Sequence, residues 1–126
     1  MENRQSIGET GENLAIWYLE GCGYRILERN YRNRLGEIDI VAREQGAIVF
    51  VEVKTRRSGR YGSPKEAVTR KKQEGLSRVA LSYLKETGQT ASRARFDVVS
   101  IRYVEQMPRI ELIKNAFDLA YPRRSE

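Results

Sequence analysis

The chain has 126 residues, room for one domain over 1–126 with a real core and no second catalytic module. It contains no histidine and one cysteine, Cys22, which excludes Ser-His and Cys-His nucleophile pairs, imidazole zinc sites and an internal disulfide. The net charge of +6 and pI of about 9.7 fit a polyanionic partner, and any catalytic metal has to be held mostly by oxygen, which favours magnesium or manganese.

In chain order, the polar start Met1-Glu2-Asn3-Arg4-Gln5 resembles no signal segment, and no apolar stretch reaches membrane-span length. With a single cysteine, this leads to the expectation of a cytoplasmic protein with no membrane partner. Ile7, Leu14, Ala15, Tyr18 and Leu19 fall at helical spacing and predict a helix from Ile7 to Glu20, stopped by Gly21-Cys22-Gly23. Glu12 borders the inward stripe of that helix. As an acid near a helix N-terminus it is equally a solvated residue favoured by the macrodipole.

Tyr24 to Tyr31 reads as a strand and Asn33 to Gly36 as a turn. Glu37-Ile38-Asp39-Ile40-Val41-Ala42 alternates before becoming apolar, as a strand entering a core does. Gln45-Gly46 marks a tight connection to the apolar run Ala47-Ile48-Val49-Phe50-Val51, which ends in Glu52-Val53-Lys54. Glu52 and Lys54, two residues apart, share a strand face. If Gln45-Gly46 is a two-residue turn, Glu44 faces Ala47 and Asp39 faces Glu52; a three-residue loop would throw the acids to opposite faces.

A basic, glycine-containing loop follows, and Ser63-Pro64 predicts the start of a second helix running to about Thr87, with Ala67, Val68, Leu76, Val79, Ala80, Tyr83 and Leu84 as its apolar stripe. Arg95 to Ile101 reads as a strand and Ile110 to Ile113 as a short last one. Helix, three strands, helix, strand, strand predicts an α/β fold with a central mixed sheet flanked by helices, the fourth strand joining parallel to the third.

Two carboxylates and an ammonium converging on one strand pair suit a hard divalent cation and phosphodiester hydrolysis, with Lys54 offsetting charge on the transition state. The same residues also read as a cross-strand salt bridge at a sheet end. Burying charges at the end of an apolar strand costs several kcal/mol unless they are compensated, and a metal site supplies a reason to keep them. Arg29, Arg32 and Arg34 precede Asp39, and Lys54, Arg56, Arg57, Arg60, Lys65, Arg70, Lys71 and Lys72 follow Glu52 against the single acid Glu66. These clusters are candidate phosphate contacts or solvated faces.

Gly11-Glu12-xx-Ala15, the run from Gly21 to Arg32, Gly36-Glu37-Ile38-Asp39-Ile40-Val41-Ala42, Val49-Phe50-Val51-Glu52-Val53-Lys54-Thr55-Arg56 and Arg95-Phe96-Asp97-Val98-Val99 resemble the YraN-like family over nearly the whole chain. That family is similar to Holliday-junction resolvases of the PD-(D/E)xK, restriction-endonuclease-like fold, with Ile38 here in place of the motif's proline. The resemblance implies a catalytic set of Glu12, Asp39, Glu52 and Lys54 and a magnesium or manganese site formed by Glu12, Asp39, Glu52 and the Val53 carbonyl. It also places Lys72 and Gln73 on a helix facing the site.

Together with Arg32, Arg34, Arg56, Arg57 and Arg60 these helix residues make up the expected nucleic-acid contacts, with DNA as the partner, and resolvases of that fold act as homodimers. The expected function is a metal-dependent DNA endonuclease acting on branched or junction-like DNA. The alternative is a basic nucleic-acid-binding module of the same fold without cleavage.

Overall fold

The computed structural model describes residues 4–56 and 68–119, the side chains of residues 4–9 excepted. Helix α1 (Arg4–Gly21) is followed by β1 (Arg25–Asn33), β2 (Gly36–Glu44), β3 (Ala47–Arg56), α2 (Arg70–Glu86), β4 (Ala94–Val104) and β5 (Met107–Phe117). The strands form one sheet in the order β1-β2-β3-β4-β5, antiparallel throughout except for the parallel pair β3 and β4. Parallel neighbours need a crossover, and α2 lies within it. This is the α/β mixed sheet flanked by helices that the order of elements predicts. Among the described residues no helix is long and apolar enough to cross a membrane.

The core has one layer on each face of the sheet. Ala15 and Leu19 of α1 are buried against Ile40, Ala42, Val49, Val51, Val99 and Ile101. Leu76, Val79, Ala80, Tyr83 and Leu84 of α2 are buried against Ile48, Phe50, Phe96 and Val98. On β3 and β4 the even-numbered side chains therefore face α2 and the odd-numbered ones face α1. Each large side chain so buried contributes on the order of 1.5–3 kcal/mol.

The turn between β2 and β3 fixes the register on which the site depends. Gln45 (φ 50°) and Gly46 (φ 83°) are both left-handed, the geometry of a two-residue turn that matches strand twist. The ladder runs from Glu44 opposite Ala47 to Ile40 opposite Val51. This is the even-loop register.

Two elements differ from the sequence reading. The Ser63-Pro64 helix start lies outside the described residues, but Val68 and Thr69, read as helical, precede the helix. Thr69 is extended (φ −66°, ψ 161°) and its hydroxyl accepts the Lys72 backbone N–H at 3.2 Å, so the helix is capped there. The last strand runs from Met107 to Phe117, well beyond Ile110 to Ile113. Its hairpin turn is built by Glu105 (φ 52°) and Gln106 (φ 67°), non-glycine residues that carry no turn signal.

Candidate active site

The site begins with a break in strand alternation. Ile38 belongs to the α2 layer and Ile40 to the α1 layer, although residues two apart on a regular strand share a face. Asp39 sits at that break. Tyr31 opposite Ile38 and Arg29 opposite Ile40 put Asn30 across from Asp39, and Asn30 has φ 52°, a left-handed conformation that asparagine tolerates better than most residues. On the other side, the β2–β3 ladder ends at Ile40 opposite Val51, so Asp39 and Glu52 are the next residues of the two strands. There Asp39 Oδ2 accepts the Val53 backbone N–H at 2.8 Å, which ties the carboxylate to the end of β3.

Glu52 is buried, with 7% of its surface exposed, on the α2 face of β3. Its Oε2 receives two ammonium groups, Lys72 Nζ at 2.8 Å and Lys54 Nζ at 3.2 Å. Lys54 arrives by strand periodicity and Lys72 from the first turn of α2, so helix and strand meet on one carboxylate oxygen. That first turn contains no acid, and the basic run Arg70-Lys71-Lys72 opposes the helix dipole.

The electrostatics show carboxylate charge concentrated at Asp39. Burial first, then the charge of Glu52 and the weaker charge of Glu12, push its pKa from 3.8 to about 7 against the lowering effect of the Val53 N–H. Burial and the neighbouring Lys72 lower the pKa of Lys54, with Glu52 opposing. For Lys72, burial works downward but is outweighed by hydrogen bonds to Glu52 and Lys54 and by the charges of Glu52 and Asp39, so its pKa is raised.

Glu12 lies on α1 and acts on this group through its charge. The preceding residue, Gly11, lets the helix approach β3 closely: a Cβ there would lie 2.6 Å from Thr55 Oγ1. Among the described residues no three carboxylates converge as a ready-made ligand group. Asp39 and Glu52 form the close pair, and Glu12 acts on Asp39 through its charge.

Of the remaining predicted contacts, Arg32, Arg34 and Arg56 lie around the same end of the sheet. Arg32 is exposed and paired with Glu37 at 2.7 Å, and Arg34 is exposed in the β1–β2 turn. Arg56 ends β3. Arg57 and Arg60 lie outside the described residues. Gln73 directs its side-chain amide to the Val68 carbonyl at 2.9 Å, where it braces the helix entry. Sequence reasoning missed Asn30, whose signal is an asparagine inside a strand, and the direct contact of Lys72 with Glu52, which no spacing reveals.

Another acid of the resembling motifs does different work. Asp97 is fully buried on the α1 face of β4, opposite Val51 of β3, and accepts hydrogen bonds from Tyr24 Oη at 2.6 Å, Arg95 Nε at 3.0 Å and the Asn115 backbone N–H at 2.9 Å. Arg95 continues to Glu44 at 2.8 Å, and Lys114 Nζ lies 3.3 Å from the same carboxylate. Burial and the hydrogen bond to Asp97 raise the pKa of Tyr24 and keep it a neutral donor. A cleft of about 540 Å³ opens above this network, lined by Glu44, Arg93, Lys114 and Asp118 among others. Among the described residues no buried side-chain N or O atom lacks a hydrogen-bond partner, so the network is a closed structural clamp.

The donor set around Glu52 fits a hard divalent cation. Two carboxylates could supply oxygen ligands, burial and then the charge of Glu52 raise the pKa of Asp39, and Glu52 already draws in the Lys72 ammonium.

Comparison with known proteins places this chain in a family. Residues 11–101 match the model of "Uncharacterised protein family UPF0102". The chain is 57% identical over 119 residues to a UPF0102 protein of Geobacter metallireducens, covering 94% of this chain and 98% of that one. A UPF0102 protein of Syntrophus aciditrophicus is 54% identical (92% and 91% covered), and one of Desulfosudis oleivorans is 48% identical (94% of each). The chain therefore belongs to the UPF0102 family, the YraN-like group that its motifs resemble.

Proposed function

We propose that this protein is a metal-dependent endonuclease that hydrolyses phosphodiester bonds in DNA, with branched or junction-like DNA as its substrate. The observation that carries the reading is the meeting of Asp39, Glu52, Lys54 and Lys72 at one sheet end, with two ammonium groups on one buried carboxylate oxygen. Asp39, Glu52 and the Val53 carbonyl would hold magnesium or manganese, with Glu12 brought in from α1. When bound, the ion neutralises charge on the phosphoryl oxygens and makes water more acidic.

The chain's own residues supply the rest. Lys54, with its lowered pKa, holds the attacking water by a hydrogen bond and stabilises charge on the five-coordinate phosphorus as the bond to the leaving sugar oxygen breaks. Lys72, released from Glu52, meets a non-bridging phosphate oxygen. Arg32, Arg34, Arg56, Arg57 and Arg60 hold the backbone on either side. A cytoplasmic homodimer would cut paired strands of a junction.

The test is incubation with linear, flapped and four-way DNA in magnesium or manganese, beside Glu52→Ala and Lys54→Ala. Cleavage abolished by either substitution supports the reading. Cleavage that survives both, or appears on no substrate, overturns it.

A second reading, nucleic-acid binding without cleavage, draws on Lys72 standing where a cation would bind Glu52. It requires salt-sensitive binding that is indifferent to metal.

A further inference from the structure

Strand register sets a row of arginines across three strands. Arg56 of β3 pairs with Arg102 of β4, and Arg102 pairs with Arg109 of β5. By alternation all three lie on the α2 face, with Phe50 on β3, Phe96 and Val98 on β4 and Ile113 on β5. This is the face that presents Glu52 and Lys54, and Arg56 is the next residue beyond Lys54 on it. Side chains on adjacent strands stand ~5 Å apart, well inside the ~8 Å screening length at physiological salt. Like charges directly opposite one another destabilise a sheet. Arg102 and Arg109 are exposed, and among the described residues neither forms an ion pair, although Glu111 follows Arg109 on the same face.

The hairpin continues past this row. β3 ends at Arg56, whereas β4 runs on to Val104. The final pairs are Tyr103 with Pro108 and Val104 with Met107, and Met107 is 63% exposed. An apolar tip above a basic row is how a two-stranded ribbon meets a duplex, with arginines on phosphates and apolar side chains in the groove. The self-repelling pair Arg102 and Arg109, beside the proposed site, is complementary to a polyanion.

We infer that the β4–β5 hairpin is a duplex-binding arm: Arg56, Arg102 and Arg109 contact the phosphate backbone beside the site, and Val104 and Met107 enter the adjacent groove. The inference rests on the endonuclease reading for DNA as its ligand. Arg102 and Arg109 lie beyond the segment matched by the family model, which ends at residue 101.

The experiment measures binding of a short labelled DNA duplex by fluorescence anisotropy over a salt series, with chelator present so that no cleavage occurs. Each phosphate contact contributes about 0.9 to the slope of log affinity against log salt. Arg102→Ala/Arg109→Ala is expected to lower that slope by about 2, with an unchanged or higher melting temperature because repulsion is relieved. Arg102→Lys/Arg109→Lys is expected to keep it. An unchanged slope in the alanine variant overturns the arm. If that happens while the wild type cleaves DNA in manganese, the endonuclease reading stands alone. If the slope falls as expected and no cleavage is found, the arm stands and the catalytic reading falls. A wild type without salt-dependent duplex binding overturns the arm and leaves the endonuclease reading to its cleavage test.

Discussion

Lys72 Nζ lies 2.8 Å from Glu52 Oε2, closer than the strand neighbour Lys54 at 3.2 Å, so a helix side chain neutralises the carboxylate that ends the apolar run of β3. A divalent cation binding Glu52 through Oε2 competes with that ammonium. Lys72→Met removes the competitor and is expected to tighten manganese binding about tenfold, ~1.4 kcal/mol. Titration calorimetry of wild type and variant measures this. Weaker binding in the variant would make Lys72 a supporting contact of the metal site.

Asp39 gives the metal-free protein a pH dependence. Its pKa is about 7 in the folded state against 3.8 for the free side chain, so between those values the folded state keeps a proton that the unfolded state has released. Stability is therefore lost as pH rises through that window. With water partly screening the carboxylate, the expected loss is ~1–2 kcal/mol, roughly 5–10 °C in melting temperature. Melting in chelator from acid to neutral pH measures it, and Asp39→Asn should flatten the curve. A wild type that gains stability over this window would contradict the crowding of charge at Asp39.

Much of this arrangement was legible in the sequence because period-two patterning and turn chemistry are local. Gln45-Gly46 set the even-loop register that runs from Glu44 opposite Ala47 to Ile40 opposite Val51, next to Asp39 and Glu52, and the apolar run Ala47 to Val51 marked the buried strand. The contact of Lys72 with Glu52 was not legible, because it depends on where a helix twenty residues downstream docks. Nor was the break at Asp39, which takes an asparagine in the left-handed region on the neighbouring strand. Asp97 and Asp39 both stand in apolar strands, and only the tertiary partners separate the clamp from the candidate site. β5 was underread because its turn uses Glu105 and Gln106 where glycine or asparagine would have announced it.

The approach of α1 to β3 is testable at Gly11. Replacing a mid-helix glycine by alanine ordinarily gains up to ~1 kcal/mol. Here the new Cβ meets Thr55 Oγ1 at 2.6 Å, so Gly11→Ala is expected to cost ~1 kcal/mol instead. In a Thr55→Ala background the same change should become neutral or stabilising. Chemical denaturation of the four proteins of the cycle gives the coupling, and strict additivity would show that the helix does not press on the strand.

The clamp on the α1 face of the sheet should affect stability without touching chemistry. Arg95→Ala strips the ion partner from fully buried Asp97 and leaves Glu44 with Lys114 alone, and is expected to cost ~3–5 kcal/mol. Arg95→Met/Asp97→Leu, which removes both charges, should recover part of that loss. Urea denaturation tests this, and a loss below ~1 kcal/mol for Arg95→Ala would mean that the network is not a stabilising unit.

The most direct measurement on the central site is a crystal structure of the protein soaked in manganese, with the ion located by its anomalous signal. The expected result is one ion held by Asp39 and Glu52, with Lys72 Nζ moved off Glu52 Oε2. Manganese absent from both carboxylates at saturating concentration, with Lys72 still on Glu52, would contradict a metal-dependent site here.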